Sequence, residues 1–572
     1  MVAITVRFDD LRELVSKRLP RDREELNQLL FAIKCELSGE HSHAKPEPIL
    51  DDTELQIENV DTNRPDTWSP EGIARALRGT MGLETGLRKY KVSKKKAIDI
   101  DVHKGLRNVR PFIACVVARR PKINDTVIRG LIHLQDKLDQ SYGRRRRRSS
   151  IGFYDFDLIS PPLEYRLAAL DEVSFIPLDT EEPMTLRQIL EKHPKGLEYG
   201  HIVREFDEMP ILLDSKDKVL SFPPIINSND LGRVTPDTKN ILVEVTGTSE
   251  ETVNNVLTIL ATALADRGAE IQPASVHYSY GEPRTAVTPN LRERRLKLSL
   301  EEVSRLVGLS FTKSQTISLL RRARFNAVES DTGQLTVLVP CYRLDILHPV
   351  DVIEDIAITH GLNKIEPRWP AAPTVGGLSP MEEFSDLIRE IMVGLGFQEI
   401  LTFTMTNPEK LFTKMNQLPS RLVEVSNPKI MTMTCLRSWL LPSLLEFLSN
   451  NIHVEYPQRI YEVGDCTRPD ASLPNRAGDT RKLACASSHS RVNFTEIKSY
   501  LEPLMLNLGL DFSLKRTSHP SFLGGRAGSI LIGDREVGVV GEVHPQVLEN
   551  WKLEEPVAAM ELDLTGLFQM RR

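Results

Sequence analysis

Hydrophobic positions along the middle of the chain follow two different periods, which predict strands and helices in turn. The stretch FIACVVAR, residues 112–119, is almost continuously apolar, as expected for a strand that is buried on both faces. Residues 126–143 carry apolar side chains at helical spacing, which predicts a helix with one buried stripe formed by Val127, Leu131, Leu134 and Leu138. Residues 240–268 again combine a strand with a helix, whose start is marked by a Thr248–Glu251 capping box. An α/β region is therefore expected between about residues 90 and 275.

The remaining patterns divide the chain further. ELQIENV, residues 54–60, alternates like a strand, and Ser69 followed by Pro70 marks a helix start. Residues 290–330 predict two helices separated by Gly308, and a turn at 331–333 then leads into the strand QLTVLVP. A further α/β pattern begins near residue 375. The predicted domains are 1–90, 91–275, 276–370 and 371–572.

Composition narrows the class of protein. A chain of 572 residues is long enough for roughly three to four domains, and 40% apolar with 27% charged residues is ordinary for a soluble globular protein. The 73 basic residues are outnumbered by 79 acidic ones, giving a net charge of −6. Any contact with nucleic acid must therefore come from a local basic patch.

Cysteine spacing and hydropathy indicate the compartment. The six cysteines stand far apart without a C-x-x-C pair, which argues against a zinc site or a disulfide framework and fits a reducing cytosol. The amino terminus carries charged residues early and lacks a continuous apolar run, so a signal peptide is not expected. No stretch of eighteen apolar residues is present, so we expect no membrane contact and a cytoplasmic protein.

The segment VPCYRLDILHPVDVIEDIAITHG, residues 339–361, concentrates four carboxylates: Asp345, Asp351, Glu354 and Asp355. Pro349 sets a helix start, so the last three acids fall at i, i+3 and i+4 on one face. Several hard oxygen ligands suit Mg²⁺ or Ca²⁺. The alternative is a solvated helix start whose acids are favoured by the helix dipole, and spacing alone favours this alternative.

The densest positive run, Arg144–Arg148, lies in GRRRRRSSIGFYDFD, residues 143–157. Arginines suit phosphate, and the adjacent aromatic side chains Phe153, Tyr154 and Phe156 could stack on a base or a ribose. A solvated loop or a localisation signal is an equally weighted alternative. The helix pair at 299–325 carries several basic residues on its second helix, but such pairs are more often packing motifs than DNA-binding ones.

Taken together, the ordered segments resemble the phenylalanyl-tRNA synthetase β-subunit family in its shorter archaeal and eukaryotic cytosolic form. The similarity is carried by NRPDTWSPEGIARALRG, SFPPIINS with KNILVEVTGT, the 339–361 segment, RSWLLPSLLEFLSNNIH, RIYEVGD, HPSFLGGRAGSILIG and GEVHPQVLENW. The resemblance implies an α+β multidomain fold. Its expected parts are an α/β editing domain at 91–275, a helix-rich metal-bearing domain at 276–370 and a catalytically silent, class II synthetase-like antiparallel sheet domain at 371–572.

The family implies an α2β2 ligase that joins phenylalanine to tRNA(Phe) with ATP and Mg²⁺, its aminoacylation site lying in the α subunit. This chain is then expected to supply no catalytic residue for aminoacylation, and Arg437, Arg459 and Arg526 are expected to be structural. The middle domain is implied to hydrolyse mischarged Tyr-tRNA(Phe). Two other hypotheses remain open: a nucleic-acid-binding protein without enzymatic activity, and a β subunit that has lost editing.

The same resemblance carries over individual site residues. The editing pocket is expected at Leu212, Ser221, Pro224, Asn227, Glu244 and Thr246. Glu244 is the candidate for reading the tyrosine hydroxyl, Asn227 and Thr246 would position the ester or a water, and Arg144–Arg148 would hold the tRNA end. The family's metal positions fall on Asp345, Asp351, Glu354 and Asp355, which implies Mg²⁺ near the contact with the α subunit.

Overall fold

An antiparallel sheet with the strand order β1–β3–β2 opens the chain. The computed structural model describes residues 2–38, 48–329, 334–369 and 374–571, which divide into a first unit up to residue 368 and a second unit from residue 369. The first elements are β1 Val2–Arg7, α1 Phe8–Val15, α2 Arg23–Phe31, β2 Cys35–Leu37, β3 Glu54–Asn59 and α3 Pro70–Thr80. Ser69 caps α3 by accepting from the Gly72 amide, as its position before Pro70 predicts.

The predicted α/β region contains a large mixed sheet. Its elements are β4 Ile98–Val102, β5 Phe112–Arg119, α4 Asp125–Lys137, β6 Ser149–Asp155, β7 Leu163–Ala169, β8 Ser174–Phe175, β9 Met184–Thr185, α5 Leu186–Lys192, α6 Pro194–Tyr199, β10 Glu208–Asp214, β11 Val219–Phe222, β12 Ile226–Asn227, β13 Asn240–Gly247, α7 Glu250–Asp266, β14 Glu270–Tyr278 and β15 Arg284–Thr288. The strand order is β12–β11–β10–β7–β4–β14–β5–β13–β6, and β15 pairs with β14.

Strand β13 positions the site because it lies between β5 and β6. Alternate side chains of a strand face opposite sides of a sheet. Val243 and Val245 join the core that also contains helix α7, whereas Leu242 joins the core on the other face. Glu244 therefore points away from helix α7. The helix itself starts one residue later than the predicted capping box, since Ser249 and not Thr248 accepts from the amide of the third helical residue.

The following region packs helices on a second small sheet. It comprises β16 Arg294–Leu298, α8 Leu300–Val307, α9 Lys313–Arg322, β17 Asn326–Glu329, β18 Leu335–Val339 and α10 Pro349–His360, with the strand order β16–β18–β17. Gly308 ends α8 with a left-handed φ of 76°, as predicted. The turn predicted at 331–333 lies outside the described residues. This region has a core of its own, which includes Leu320, Phe325 and Ile356.

The second unit is built around a mostly antiparallel sheet with the order β19–β22–β23–β27–β26–β25–β24. Its elements are α11 Pro380–Gly394, β19 Gln398–Glu399, β20 Met405–Thr406, α12 Pro408–Leu411, β21 Cys435–Leu436, α13 Leu441–Asn450, β22 Gln458–Pro469, β23 Ala477–Ser488, α14 Phe494–Leu508, β24 Ser513–Arg516, β25 Phe522–Ile532, β26 Arg535–Val543, α15 Pro545–Trp551, β27 Val557–Asp563 and α16 Leu564–Arg571. The predicted multidomain α+β class is confirmed. Among the described residues no helix is long and apolar enough to cross a bilayer.

Candidate functional site

A cavity of about 470 Å³ opens beside strands β11, β12 and β13 in the first unit. Four of the six predicted pocket residues line it: Ser221, Pro224, Asn227 and Glu244. Ser221 and Asn227 are paired across β11 and β12, and the Pro223–Pro224 turn joins these two strands. Arg146 of the arginine run also lines the cavity, and it donates to the carbonyl of Pro224, which lies 78 residues further along the chain.

The other two predicted residues lie behind the pocket wall. Leu212 pairs with Ser221 across β10 and β11, and its side chain is part of the buried core. Thr246 is fully buried, and its hydroxyl accepts a hydrogen bond from Arg110 at 2.9 Å. Both residues support the wall, so neither of them contributes to the lining of the cavity.

Glu244 is a buried acid with one engaged and one open oxygen. The hydroxyl of Tyr154 donates to Oε2 at 2.8 Å, while Oε1 has no hydrogen-bond partner in the part of the chain that the structure describes. Burial raises the pKa of Glu244 to about 7, although the Tyr154 hydrogen bond, the charge of Arg110 and the nearby Thr246 hydroxyl act in the opposite direction. A buried acceptor left open in a cavity is able to receive a hydrogen bond from a ligand.

Arg110 organises the floor of the site and is not indicated by the sequence pattern. Its guanidinium donates to the Thr246 carbonyl at 2.8 Å, to the Ser150 hydroxyl at 3.0 Å and to the Arg146 carbonyl at 3.2 Å. The side chain is only 2% exposed. An isolated arginine just before an apolar strand gives no sign of such burial, because its partners are more than 35 residues away along the chain.

The arginine run forms a tight loop in which one member differs from the rest. Arg144, Arg145, Arg147 and Arg148 are exposed, whereas Arg146 is half-buried. Arg146 donates to the Ile225 carbonyl at 2.9 Å, lies over the Tyr199 ring at 4.3 Å and pairs with the buried Asp139 at 3.2 Å. Burial raises the pKa of Asp139 to about 7 against the opposing charges of Arg146 and Arg110. The loop therefore anchors itself through Arg146.

The aromatic residues next to this run do not provide a stacking surface. Phe153, Tyr154 and Phe156 are 8%, 0% and 8% exposed. Phe153 belongs to the core on one face of the sheet, and Tyr154 and Phe156 to the core on the other. The prediction that they stack on a base or a ribose is wrong, because β6, which carries Phe153 and Tyr154, is buried on both faces and Phe156 is buried directly after it.

Basic residues of the α5–α6 connection complete the cavity. Lys192, His193 and Lys195 line it, and no spacing in the sequence singled them out. The His193 Nδ1 accepts from the Lys195 amide at 3.1 Å, so the neutral ring carries its proton on Nε2. Burial and the charge of Lys195 lower the pKa of His193, which favours this neutral form. In that state His193 offers the cavity a donor and not a general base.

The predicted metal segment is organised around arginine. Arg343 donates to Asp345 at 2.7 Å and to Asp355 at 2.6 Å, and Arg64 lies 3.9 Å from Asp345. Burial alone would raise the pKa of Asp345, but the charge and hydrogen bonds of Arg343, aided by Arg64, hold it well below its usual range. Asp345 is thus held in its ionised form, and Asp355 binds the same guanidinium.

The other two acids of this segment face different partners. Asp351 accepts from the amides of Leu347 and His348 at 2.7 Å each and so caps helix α10. Glu354 pairs with Lys34 at 2.8 Å. Across the described ranges no three Asp, Glu, His or Cys side chains are grouped to hold a metal ion. The four acids do not fit the implied Mg²⁺ in this arrangement.

Three of the basic residues on and directly after helix α9 contact other parts of the first unit. Arg322 donates to the Thr80 carbonyl at 3.0 Å, Arg324 pairs with Glu84 at 2.9 Å, and Lys313 pairs with Glu329 at 3.1 Å. A DNA-recognition helix needs its basic side chains free to reach phosphates and base edges. These contacts disfavour the DNA-binding interpretation of this helix pair.

The three arginines expected to be structural in the second unit all have local partners. Arg437 is 3% exposed and donates to Glu462 at 2.6 Å and to the Asp465 carbonyl at 2.9 Å. Arg459 lies 3.8 Å from Glu496, and Arg526 lies 3.3 Å from Glu542. These contacts agree with structural roles.

The chain is a multidomain α+β protein with a buried acid in the cavity of its first unit and an antiparallel sheet in its second. Two family models define its class as a tRNA synthetase subunit. Residues 296–362 match the tRNA synthetase B5 domain. Residues 365–564 match the phenylalanyl tRNA synthetase beta chain CLM domain.

Whole-chain relatives specify the family. The phenylalanine–tRNA ligase beta subunit of Pyrococcus abyssi is 42% identical over 569 residues, covering all of both chains. The protein of the same name from Methanocaldococcus jannaschii is 37% identical over 566 residues, covering 99% of this chain and all of its own. This chain belongs to the family of phenylalanine–tRNA ligase β subunits.

A solved structure agrees with the first unit. The crystal structure of an N-terminal fragment of the phenylalanyl-tRNA synthetase beta-subunit from Pyrococcus horikoshii superposes with a TM-score of 0.58 at 36% identity. The match covers 63% of this chain and 99% of the fragment.

Proposed function

We propose that this chain is the β subunit of a ligase that joins phenylalanine to tRNA(Phe), with ATP converted to AMP and pyrophosphate. The observation that carries the proposal is the 42% identity to a phenylalanine–tRNA ligase β subunit over the full length of both chains. The complex is an α2β2 heterotetramer, and ATP with its Mg²⁺ is handled by the α subunit.

The second unit then serves as a class II synthetase-like domain without aminoacylation chemistry. Its buried Arg437 is bound by Glu462, and its Arg459 and Arg526 also have acidic neighbours. An arginine held in this way is not free to bind a nucleotide phosphate. These contacts favour a structural role for this unit, with the aminoacylation chemistry in the α subunit.

The cavity of the first unit is proposed to remove tyrosine that has been attached to tRNA(Phe) in error. An apolar phenylalanine pocket rejects an analogue with one added hydroxyl only weakly, so a second site improves fidelity. Oε1 of Glu244 would accept the tyrosine hydroxyl, and phenylalanine would leave that buried oxygen unpaired. This difference in hydrogen bonding favours binding, and hence hydrolysis, of the tyrosyl ester over the phenylalanyl ester.

The hydrolytic step uses a positioned water. The water oxygen adds to the ester carbonyl, the bond between the carbonyl carbon and the ribose oxygen breaks, and that oxygen takes a proton to restore the tRNA hydroxyl. Asn227 in the cavity orients the ester or the water, while Thr246 acts through the wall that it shares with Arg110. The exposed arginines at 144, 145, 147 and 148 would hold the tRNA end through its phosphates.

Two measurements test these proposals separately. Co-expression with a candidate α subunit should give phenylalanylation only in the mixture, and an active monomer of this chain alone would contradict the ligase assignment. In the assembled complex, Glu244→Ala should slow deacylation of Tyr-tRNA(Phe) at least tenfold, whereas the exposed Glu172→Ala should not. Equal rates for wild type and Glu244→Ala would count against this pocket, and no deacylation by wild type would favour a β subunit that has lost editing.

A further inference from the structure

We propose that Tyr154 is a positioning residue that holds Glu244 so that one carboxylate oxygen stays available to the phenol of the substrate. This inference rests on the proposed editing function of the cavity. Tyr154 lies on β6, the neighbour of β13, and its side chain is completely buried. It does not line the cavity and cannot contact the substrate directly.

The two carboxylate oxygens of Glu244 differ in their hydrogen bonding. The Tyr154 hydroxyl lies 2.8 Å from Oε2 of Glu244 and 3.4 Å from Oδ1 of Asn227. A phenol has a single proton to donate, and the shorter contact with the carboxylate takes it. Oε2 is thereby engaged by the protein itself, which leaves Oε1 as the acceptor for a ligand.

Gly152 is required for this arrangement. It is paired with Glu244 across β6 and β13, and a Cβ at this position would lie 2.6 Å from Glu244 Oε2 and would overlap the Tyr154 hydroxyl. Glycine inside a strand is otherwise unfavourable, and it often marks a site where other groups approach the backbone closely. Here the approaching groups are the two partners of the hydrogen bond.

The hydrogen bond also affects the charge of Glu244. Burial raises the pKa of this carboxyl, and the Tyr154 hydroxyl opposes that rise by stabilising the ionised form. An ionised carboxylate can only accept, which is the role that reading a substrate hydroxyl requires. The ionisable groups that surround Glu244 on the packed elements and along the cavity are Arg110, Cys115, Asp139, Arg146, Tyr165, Asp179, Lys192, His193 and Lys195.

The test is the pH dependence of Tyr-tRNA(Phe) deacylation by the assembled complex carrying Tyr154→Phe. Loss of the hydrogen bond should move the acidic midpoint of kcat/KM upward by about one pH unit and reduce the preference for Tyr-tRNA over Phe-tRNA about tenfold. Gly152→Ala should act in the same direction, since it forces the two partners apart. Tyr278→Phe is the matched control, because this buried hydroxyl bonds only to the backbone of Ile113.

The outcomes separate the two proposals. A wild-type pH profile and wild-type selectivity in Tyr154→Phe, with Glu244→Ala slowed, would overturn the positioning role alone. Full deacylation by Glu244→Ala would overturn the assignment of Glu244, and the role of Tyr154 with it. Thermal unfolding of each variant identifies any that fails to fold, and Gly152→Ala then tests the hydrogen bond a second time while leaving both of its side chains in place.

Discussion

Arg343 donates to the carboxylate of Asp355 across 2.6 Å inside the first unit, where both side chains are less than 10% exposed. The same guanidinium binds Asp345. A cation belonging to the protein thus occupies the position between two acids that were expected to bind Mg²⁺. The guanidinium offsets part of the negative charge that would attract a divalent ion to this segment.

Removal of Arg343 should therefore cost more stability than removal of metal. Arg343→Met leaves two buried carboxylates without their partner and should lower the free energy of unfolding by about 3–5 kcal/mol. Urea denaturation measures this, with the exposed Arg295→Met as a control that should change little. Chelation by EDTA should leave the unfolding temperature of this unit unchanged. A fall that Mg²⁺ reverses would restore the predicted metal site.

The free energy of unfolding should decrease as the pH rises from mildly acidic to mildly basic values, because of Glu244. Its pKa rises from an ordinary 4.5 to about 7 on folding, so the folded state holds the proton more tightly. The resulting stabilisation is present below pH 4.5 and is lost as the pH rises through 7, amounting to roughly 3 kcal/mol. Glu244→Gln lacks this dependence, so its stability relative to wild type should increase from pH 5 to pH 8. Urea titrations at both values measure it, and a constant difference would contradict the buried, proton-binding state.

Members of the arginine loop should separate into two functional groups. Arg147→Gln removes an exposed charge and should weaken tRNA binding. The slope of the logarithm of the binding constant against the logarithm of the salt concentration should fall by about one, as expected for the loss of one phosphate contact. Arg146→Gln removes a contact with the Ile225 carbonyl at the cavity wall and should also slow deacylation of bound Tyr-tRNA(Phe). Filter binding at several salt concentrations and single-turnover deacylation distinguish the two effects. Identical behaviour of both variants would argue against a wall-forming role for Arg146.

Gly464 in the second unit should tolerate no side chain. A Cβ there would overlap the guanidinium of Arg437 and lie 3.0 Å from Glu462 Oε1. Gly464→Ala should disrupt this buried pair and lower the free energy of unfolding by about 3–5 kcal/mol. Gly394→Ala, at a helix position with open space, should instead be neutral or stabilise by up to about 1 kcal/mol. Urea denaturation measures both variants, and an equally small change in both would contradict close packing around Arg437.

Local chemistry was well predicted from the sequence. The strand at Phe112–Arg119 and the starts of α3 and α10 occur as predicted, since apolar runs, prolines and cap residues act over a few neighbouring positions. The predicted arginine loop likewise supplies a residue to the cavity in which four of the six predicted pocket residues are found. The ordered family motifs identified the family itself.

Tertiary structure decided which charges are available. The sequence determined that four acids and five arginines lie close together in two segments, but not that Arg343 binds two of those acids or that Arg146 turns inward. Nor did it indicate that Tyr154 would bind Glu244, or that Arg110 would bind Thr246 beside it. These pairs are 90 and 136 positions apart in the chain. Charge pairing and burial depend on distances in space, and patterns of neighbouring residues do not contain those distances.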